Sequence, residues 1–476
     1  MLDFIGIGLG PFNLSLASLL ESKTDLRYKF FEQKANFDWH AGMQLPHALL
    51  QVPFMADLVS LVEPTSPYSF LNYLKHHQRL YKFYFRENLY IPRQEYNHYC
   101  QWVVQQLSHI QFQSCVLDVQ AIVGGFEVEV LSQGEIQRYQ TRQLVLGIGT
   151  VPHLPSALQQ VYPHTRQCLH SAQYLKNCPT ELKGNVVLIG SGQSAAEIFI
   201  DLFDRQYARG QQRADFQLHW LTRSAGFFPM ENTPLGLEHF SPDYMHYFYQ
   251  LPSALKAALP IQQANLYKGI STKTLREIYE RLYHRSIGAR STDVMLAGQH
   301  QLEHVEQLDN QKLRLHFEQR QQAQSYSLDA DCVIAATGYR YPTPSFLKHV
   351  QDLFRLNHAD QWQVSENFEL NYQGDGRIFL QNIDVSHHGV GTPDLGLGAY
   401  RAATIANQLI GQPLFELGHQ HAFQHFGMAQ TTTKVSEKPS STITEAGMSR
   451  AGYASEPPQQ MTAHVHSSFK MSEHID

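Results

Sequence analysis

The sequence predicts an α/β fold that contains two copies of one strand–turn–helix unit about 180 residues apart. Each unit has an apolar strand, closely spaced glycines and an apolar helical pattern, and the two begin near Leu2 and Val186. Other apolar strands follow each unit, and a mainly helical stretch spans residues 230–290. Strands that alternate with helices in this way form parallel sheets. We therefore expect two Rossmann-like dinucleotide-binding domains with a helical portion between their strands.

The first unit predicts a site for a dinucleotide at the N-terminus of the chain. Glycines stand at alternate positions, Gly6, Gly8 and Gly10, where bare backbone can approach a pyrophosphate beside a helix N-terminus. A second apolar run, 28–31, ends in Glu32, an acid placed to accept a hydrogen bond from a ribose hydroxyl. The cofactor-binding domain is thus expected to start at residue 1.

The second unit predicts a site for a nucleotide that carries a 2′-phosphate. It has the spacing Gly190-x-Gly192-x-x-Ala195, in which alanine still permits close packing of helix on strand. The next strand, 216–221, is followed by Arg223 and hydroxyl side chains instead of an acid. An arginine there favours NADPH over NADH. The alternative is that Arg223 is only solvated.

Composition restricts the reaction. The net charge of −6 argues against nucleic-acid and anionic-membrane binding, and no apolar stretch has the length of a membrane helix. The five cysteines form no C-x-x-C pair, which argues against a disulfide framework, a dithiol reductase and an iron–sulfur protein, and we expect no metal site. The chain is expected to be cytoplasmic. Two nucleotide units without a dithiol indicate bound FAD, reduction by NADPH, and oxygen or a small organic molecule as acceptor.

The strand and turn pattern divides the chain into four segments. Residues 1–160 are expected to form the first part of the FAD-binding domain, and residues 161–330 the NADPH-binding domain, with a helical substrate segment at 230–290. Residues 331–427 are expected to return to the FAD-binding domain and supply a flavin loop. Residues 428–476 are rich in Thr, Ser, Gln and Pro without periodicity, which predicts a disordered tail.

Several motifs, in order along residues 1–425, resemble one enzyme family. They are GLGPFN at 8–13, FDWHAGM at 37–43, DLV at 57–59 with PYSFLNYL at 67–74, GSGQSA at 190–195, ATGY at 336–339 and HG at 388–389. The chain resembles the flavin-dependent N-hydroxylating monooxygenases, the lysine and ornithine N-monooxygenases of siderophore biosynthesis. The resemblance implies that a primary amine is hydroxylated with FAD, NADPH and O₂ through a flavin C4a-hydroperoxide.

The resemblance also implies partners and site residues. The partners are a small amine and O₂, with no nucleic acid or membrane, in a homo-oligomer that is tetrameric in many relatives. Gln51, Trp39 and His40 would act beside the flavin. The residues expected to bind FAD are Gly6, Gly8, Gly10, Pro11, Asn13, Glu32, Trp39, His40, Gln51, His388, Gly389 and Leu395. The residues expected to bind NADPH are Gly190, Ser191, Gly192, Gln193, Ser194, Arg223, Thr337, Gly338 and Tyr339.

The chain departs from the amino-acid hydroxylases where these hold their substrate. Ala56 replaces the lysine that pairs with the substrate carboxylate, and Leu237 replaces an asparagine that helps to hold the amino-acid head. A carboxylate buried without a cation is unfavourable by several kcal/mol. These replacements favour an amine without a carboxylate, most simply putrescine or cadaverine.

The residues expected at the substrate are Ala56, Leu237, Asn265 and Asp394. Asp394 is the candidate partner for the far ammonium of a diamine, although it can equally cap the helix after its loop. Histamine stays open as a substrate, and so do lysine and ornithine if another cation, such as Lys268, has taken the role. A non-catalytic NADPH-binding scaffold is the alternative from another class.

Overall fold

The computed structural model describes residues 1–162, 165–207, 215–357 and 360–428, so the predicted tail lies, beyond Met428, outside the described residues. Nineteen strands are named in chain order. They are β1 Leu2–Ile7, β2 Tyr28–Phe31, β3 Leu49–Pro53, β4 Tyr90–Pro92, β5 Ile110–Gln111, β6 Ser114–Ile122, β7 Gly125–Ser132, β8 Glu135–Leu146, β9 Val151–Pro152, β10 Cys168–His170, β11 Gly184–Ile189, β12 Phe216–Leu221, β13 Val294–Ala297, β14 His300–Gln307, β15 Leu313–Gln319, β16 Gln324–Ala330, β17 Cys332–Ala335, β18 Tyr339–Arg340 and β19 Arg377–Leu380.

The helices range from single turns to fifteen residues. They are α1 Pro11–Leu20, α2 Phe70–His76, α3 Leu80–Phe85, α4 Arg93–Val104, α5 Ser156–Gln159, α6 Tyr174–Asn177, α7 Gln193–Arg205, α8 Pro234–Leu237, α9 Pro242–Gln250, α10 Ser253–Gln262, α11 Ala264–Tyr267, α12 Thr272–Ser286, α13 Val385–His388 and α14 Gly398–Ile410. In the part of the chain that the structure describes, no helix combines the length and the apolar character needed to span a bilayer.

The first sheet has seven strands in the order β5-β2-β1-β8-β7-β6, with β19 paired to β8. Strands β5, β2, β1, β8 and β19 run parallel, and β8 extends into an antiparallel meander with β7 and β6. The register places Gly6 opposite Phe30 and Val145. Helices α1 and α14 pack together beside this sheet. The first glycine turn thus follows a central strand, as the sequence predicts.

The second sheet is fully parallel, with five strands in the order β10-β17-β11-β12-β13. Its central strand β11 leads into the second glycine turn and α7. A separate antiparallel meander, β14-β15-β16, packs its apolar side chains with those of the second sheet. The α/β class and the two nucleotide-binding units that the sequence predicts are both present.

Two antiparallel strands form the crossing between the sheets. Tyr339 of β18 pairs with Pro152 of β9. Ala157 of α5 already packs in the core of the second sheet, and Val333 of β17 is a strand residue of that sheet. Residues on the first-domain side of the boundaries expected at 160/161 and 330/331 thus contribute to the second sheet and its core, and the exact division into segments stays a prediction. Glycine and proline residues in the turns predicted that the chain passes between the two domains near residues 150 and 338. The sheet to which each short segment belongs becomes clear only from the strand pairing.

Candidate active site

A cavity of about 820 Å³ lies at the carboxyl ends of the central strands of the first sheet. Its volume falls in the range of about 300–1,000 Å³ that is usual for small-molecule and cofactor sites. Eight predicted site residues line it, namely Gly8, Gly10, Pro11, Glu32, Trp39, His40, Leu395 and Tyr339. The fold thus brings together residues that are up to 387 positions apart in the chain, as from Gly8 to Leu395.

The backbone of the first glycine turn lines one side of the cavity. Gly8 has φ +81°, and a β-carbon there would lie 2.6 Å from the Gly147 carbonyl oxygen. Gly10 caps α1 without a side-chain hydrogen bond, and a β-carbon on it would meet open space. Because the N-cap residue Gly10 has no side chain, the first-turn N–H groups after Pro11 carry no side-chain cap. Such a helix N-terminus is suited to an anion such as a pyrophosphate.

The carboxylate of Glu32 is fixed at the end of β2. It is 7% exposed, and it accepts hydrogen bonds from Leu9 N–H at 2.7 Å and Lys34 N–H at 2.9 Å. Each carboxylate oxygen has two lone pairs, so capacity remains for a ribose hydroxyl. Glu32 lines the cavity, and its contact with a ribose stays a prediction.

Two residues predicted to bind FAD have structural roles in the fold, and their contact with the cofactor stays a prediction. Neither Gly6 nor Asn13 lines the cavity. A β-carbon on Gly6 would lie 2.1 Å from the Phe30 ring, so this glycine permits β1 to pack against β2. The Asn13 amide donates to the Gly8 carbonyl at 2.7 Å and accepts from Gln381 at 3.0 Å. Asn13 therefore holds the shape of the turn from the protein side.

An aromatic wall closes one side of the cavity. Trp39 and His40 meet edge to face with ring centroids 4.4 Å apart, and His40 lies 5.8 Å from Tyr339. Although His40 keeps an exposed surface, desolvation of its ring and the charge of Arg93 lower its pKa below the ordinary value of about 6.5, so the imidazole is mostly neutral at physiological pH. The wall therefore consists of aromatic rings and carries no charge.

The sequence prediction assigned Tyr339 and Thr337 to NADPH, and that assignment stays a prediction. Tyr339 lines the cavity of the first glycine turn and packs between His40 and His170. The Thr337 hydroxyl donates to the His153 carbonyl at 2.5 Å, and thus ties the two crossing segments together. Both residues follow β17, a strand of the second sheet. Because β18 pairs with β9, however, Tyr339 lies beside the first sheet.

The second glycine turn has the geometry expected for a second nucleotide. Gly190 has φ +140°, and a β-carbon there would lie 2.2 Å from the Ala336 carbonyl oxygen. Gly192 caps α7 without a side-chain hydrogen bond, and Gln193 and Ser194 form the first turn. The Ser191 hydroxyl lies 2.9 Å from that of Ser224, beyond β12. Gly338 lies in the crossing, at φ +84°.

The loop before α14 contributes Leu395 to the cavity, but not His388 or Gly389. The His388 ring is buried, stacks on Tyr249, and has its Nδ1 2.5 Å from Asp384 Oδ2. The structure therefore does not bring His388 or Gly389 to the cavity wall, and their expected contact with the flavin stays a prediction. The structure shows His388 as part of a buried polar network.

The predicted substrate residues lie on three segments. Ala56 is 6% exposed and follows β3, whose Gln51 is exposed and has its amide nitrogen 3.9 Å from Met230 Sδ. The Asn265 carbonyl accepts from the backbone N–H of Glu231 at 2.8 Å, and its side chain is on the surface. Gln51 and Asn265 thus contact neighbouring residues of one loop.

Leu237 and Asp394 complete the predicted substrate set. Leu237 ends α8 and is 43% exposed. The Asp394 carboxylate accepts from the Gly396 N–H at 2.7 Å, so the capping role that the sequence left open is present. The polypeptide turn around Gly391 lies against His239 and Phe240, which follow α8. Asp394 and Leu237 therefore belong to neighbouring loops.

The model of one protein family, L-lysine 6-monooxygenase/L-ornithine 5-monooxygenase, matches residues 1–341. The chain belongs to this family. A putrescine N-hydroxylase of Shewanella oneidensis is 40% identical over 432 residues, which are 89% of this chain and 84% of that protein. The crystal structure of DfoA bound to FAD, the cadaverine monooxygenase of the desferrioxamine biosynthetic pathway of Erwinia amylovora, superposes with a TM-score of 0.84 at 37% identity. It covers 90% of this chain and 99% of its own.

A third member of the lysine/ornithine monooxygenase family carries both cofactors. The ornithine N-hydroxylase KtzI of Kutzneria sp. 744, with reduced FAD, NADP⁺ and L-ornithine, has a TM-score of 0.80 at 27% identity and covers 86% of this chain and 99% of its own. The protein is thus an FAD- and NADPH-dependent N-hydroxylating monooxygenase of siderophore biosynthesis. The resemblance found in the sequence motifs is confirmed.

The described residues fit both cofactors of such a monooxygenase. The cradle at Gly8 and the uncapped start of α1 would hold the pyrophosphate of FAD, with Trp39 and His40 along the cavity wall. The uncapped start of α7 would hold the phosphates of NADPH. Each turn contains a glycine whose β-carbon would collide with backbone, so a larger residue would close the approach.

The exposed side chain of Arg223 gives a testable cofactor preference. We expect Arg223→Ser to raise the KM for NADPH about 10- to 100-fold with little change for NADH, because only NADPH offers a 2′-phosphate. Steady-state oxidation of both nucleotides measures the ratio. Arg290→Ser, another exposed arginine between α12 and β13, is the control and should leave the ratio unchanged. An unchanged ratio in Arg223→Ser would exclude the phosphate contact.

Some polar residues of the site region were missed by the sequence analysis. Arg401 is 1% exposed, and its guanidinium donates to both oxygens of Asp384 at 2.7 and 2.9 Å. The local signal was available, since Arg401 interrupts the apolar face of α14 among alanines. A charged residue on the buried face of a helix requires a buried partner. Nothing in the sequence, however, identified Asp384 as that partner.

Proposed function

We propose that this monooxygenase hydroxylates one amino group of a short aliphatic diamine, cadaverine or putrescine. The observation that carries the proposal is Ala56, a buried and uncharged residue that, by the motif resemblance, stands where the amino-acid hydroxylases have their carboxylate-binding lysine. The next residue, Asp57, is also buried and accepts hydrogen bonds from the Ser60 and Phe70 N–H groups. This network fixes the turn, so Ala56 cannot move aside without breaking it.

The named substrates of two relatives support the diamine. The Shewanella oneidensis protein is a putrescine N-hydroxylase, and DfoA is a cadaverine monooxygenase, at 40% and 37% identity. The ornithine N-hydroxylase KtzI is less similar, at 27%. Putrescine and cadaverine are ornithine and lysine without the carboxylate. The change at Ala56 and the similarity therefore favour the same class of substrate.

Bound FAD, once reduced by NADPH, would supply the activation of O₂, and one atom of that O₂ would be transferred to the amine while the other leaves as water. The residues of this chain would bind and orient the reactants around it. Trp39, His40 and Tyr339 build an aromatic wall along one side of the cavity, with His40 at its solvent-exposed end. Neutral His40 adds no positive charge there, so it does not oppose the approach of a cationic diamine.

Asp394 is the proposed partner of the far ammonium. Burial raises the pKa of its carboxyl group to about 6, and only one of its oxygens is used by the Gly396 N–H. An ammonium nearby would favour the ionised form. Since the ionised fraction falls below about pH 6, we expect the KM for cadaverine to rise as the pH falls through that value.

The Asp394→Asn variant tests this partner. Asparagine can still accept from the Gly396 N–H, so the loop is preserved while the charge is lost. We expect the KM for cadaverine to rise about 10-fold or more and that for n-pentylamine, which lacks the second ammonium, to stay within about 2-fold. Equal effects on the KM values of both amines would show that Asp394 only holds the loop and does not bind the second ammonium.

The reaction itself is tested by the product. Purified enzyme with FAD, NADPH and ¹⁸O₂ should convert cadaverine or putrescine to a hydroxylamine that carries one ¹⁸O atom. Oxygen uptake should depend on the amine and match the hydroxylamine formed. If oxygen uptake yields only hydrogen peroxide with every diamine, or if histamine is the preferred substrate, the diamine proposal is wrong.

A further inference from the structure

An ion pair between Arg93 and Glu197 connects the elements around the two sheets. Arg93 begins α4, which packs on α1 beside the first sheet, and Glu197 lies in α7, the helix of the second glycine turn. The two side chains are 11% and 1% exposed. Arg93 donates to Glu197 Oε2 at 2.9 Å and to Oε1 at 3.1 Å. This is the bidentate geometry that fixes orientation as well as distance.

The ion pair lies within a wider contact. Arg93 Nη1 also donates to the Met43 carbonyl at 2.5 Å, and His47 Nε2 lies 3.1 Å from the Glu197 carbonyl. Three side chains of this segment, Met43, Leu45 and Ala48, pack inside the hydrophobic core of the second sheet. The segment 43–48 is therefore inserted between the two sheets, with the ion pair at its side.

The Arg93–Glu197 pair lies between the second glycine turn and the cavity of the first glycine turn. Gln193, the first residue of α7 after the second glycine turn, donates to Glu197 Oε1 at 3.1 Å. Gln193 also accepts from the Ser271 N–H at 2.8 Å, which ties the turn to α12. On the other side, the positive charge of Arg93 acts to lower the pKa of His40 and, against the larger effect of burial, that of Tyr339; both residues line the cavity of the first turn.

We propose that Arg93 and Glu197 are positioning residues that hold the NADPH-binding turn at a fixed separation and angle from the flavin cavity. Reduction of the flavin requires the nicotinamide and the flavin ring to meet within a small tolerance. The pair is one turn of α7 from Gln193, so its loss lets the start of α7 shift. The proposal rests on the two cofactor sites, and it does not depend on which amine is hydroxylated.

Three variants separate the roles of charge and shape. Glu197→Gln keeps the shape and removes the negative charge, and Arg93→Lys keeps the positive charge and removes the bidentate contact. The double variant Arg93→Gln with Glu197→Gln leaves no unpaired buried charge. The matched control is Arg79→Gln, which breaks an ion pair to Glu95 of the same helix α4 on the outer surface, where Arg79 is 49% exposed.

The first measurement is the rate of flavin reduction by NADPH without oxygen or amine. We expect each single variant, with FAD bound, to reduce its flavin at least about 10-fold more slowly at saturating NADPH, and the control to match the wild type. In the double variant the rate of flavin reduction should fall no further than in the slower single variant, because the two residues act as one unit. Unchanged rates in the FAD-loaded single variants would overturn the proposal.

The second measurement uses the protein without turnover. Hydrogen exchange of peptides from segment 43–48 and the start of α7 should accelerate at least about 10-fold in the variants and not in Arg79→Gln. If Glu197→Gln fails to fold, Arg93→Lys decides the question by the same two measurements. Slow reduction with unchanged exchange in both segments would contradict a positioning role. A failed diamine assay would leave these results unaffected.

Discussion

Ala56→Lys is expected to lower kcat/KM for cadaverine about 100-fold or more. The new ammonium would be buried beside a fixed turn and would repel a substrate that is itself a cation. Flavin reduction by NADPH in the absence of amine should stay within about 2-fold, because the change does not touch either glycine turn. Initial rates of hydroxylamine formation and anaerobic reduction rates measure the two effects.

Ala56→Met is the matched control for that variant. Methionine adds a similar length of side chain without charge, so it reports the steric cost alone. We expect a loss of about 10-fold or less with cadaverine. If methionine and lysine lower the activity equally, the charge argument at this position is wrong. If Ala56→Lys also gains activity on L-lysine, the added cation has restored a carboxylate site.

Arg401→Met is expected to lower the free energy of unfolding by about 3–5 kcal/mol, because it leaves the buried Asp384 carboxylate without its arginine partner and with only His388 beside it. The two side chains are 1% and 0% exposed. The control is Arg377→Met, whose partner Glu369 is about one-third exposed and which should lose only about 0–1 kcal/mol. Urea denaturation measures both, and equal losses would contradict the account.

The same carboxylate predicts a pH dependence. Burial alone would raise the pKa of Asp384, but Arg401 and His388 lower it from 3.8 to about 2. A carboxyl whose pKa is lower in the folded than in the unfolded protein stabilises the fold at pH values above its unfolded-state pKa. This contribution is lost as the pH falls from 3.8 to about 2. In Arg401→Met much of this loss should be absent. Stability curves of both proteins over that pH range test the expectation.

The sequence predicted the parts of the fold that are local. Gly8 and Gly190 mark turns whose conformation only glycine adopts readily, and Glu32 ends a strand whose position follows from its apolar run. These signals need no knowledge of distant segments. For the same reason both nucleotide-binding turns, their helices and the acid were placed correctly from spacing alone.

Contacts between distant segments could not be predicted in this way. Tyr339 follows a strand of the second sheet but lines the cavity of the first, because β18 pairs with β9 at the crossing. Arg93 and Glu197 are 104 residues apart, and neither lies in a recognisable motif. His388 stands in a motif, yet its ring faces Asp384 and Tyr249. A single sequence gives the residue types, but not which pairs meet.

The most direct test compares amines that differ only in the carboxylate. We would measure kcat/KM for hydroxylamine formation with cadaverine and L-lysine, and with putrescine and L-ornithine, under identical conditions. The account predicts that each diamine exceeds its amino acid by about 100-fold or more, since Ala56 offers no cation to a carboxylate. Equal values, or a preference for lysine or ornithine, would contradict the diamine assignment while leaving the family and both cofactors in place.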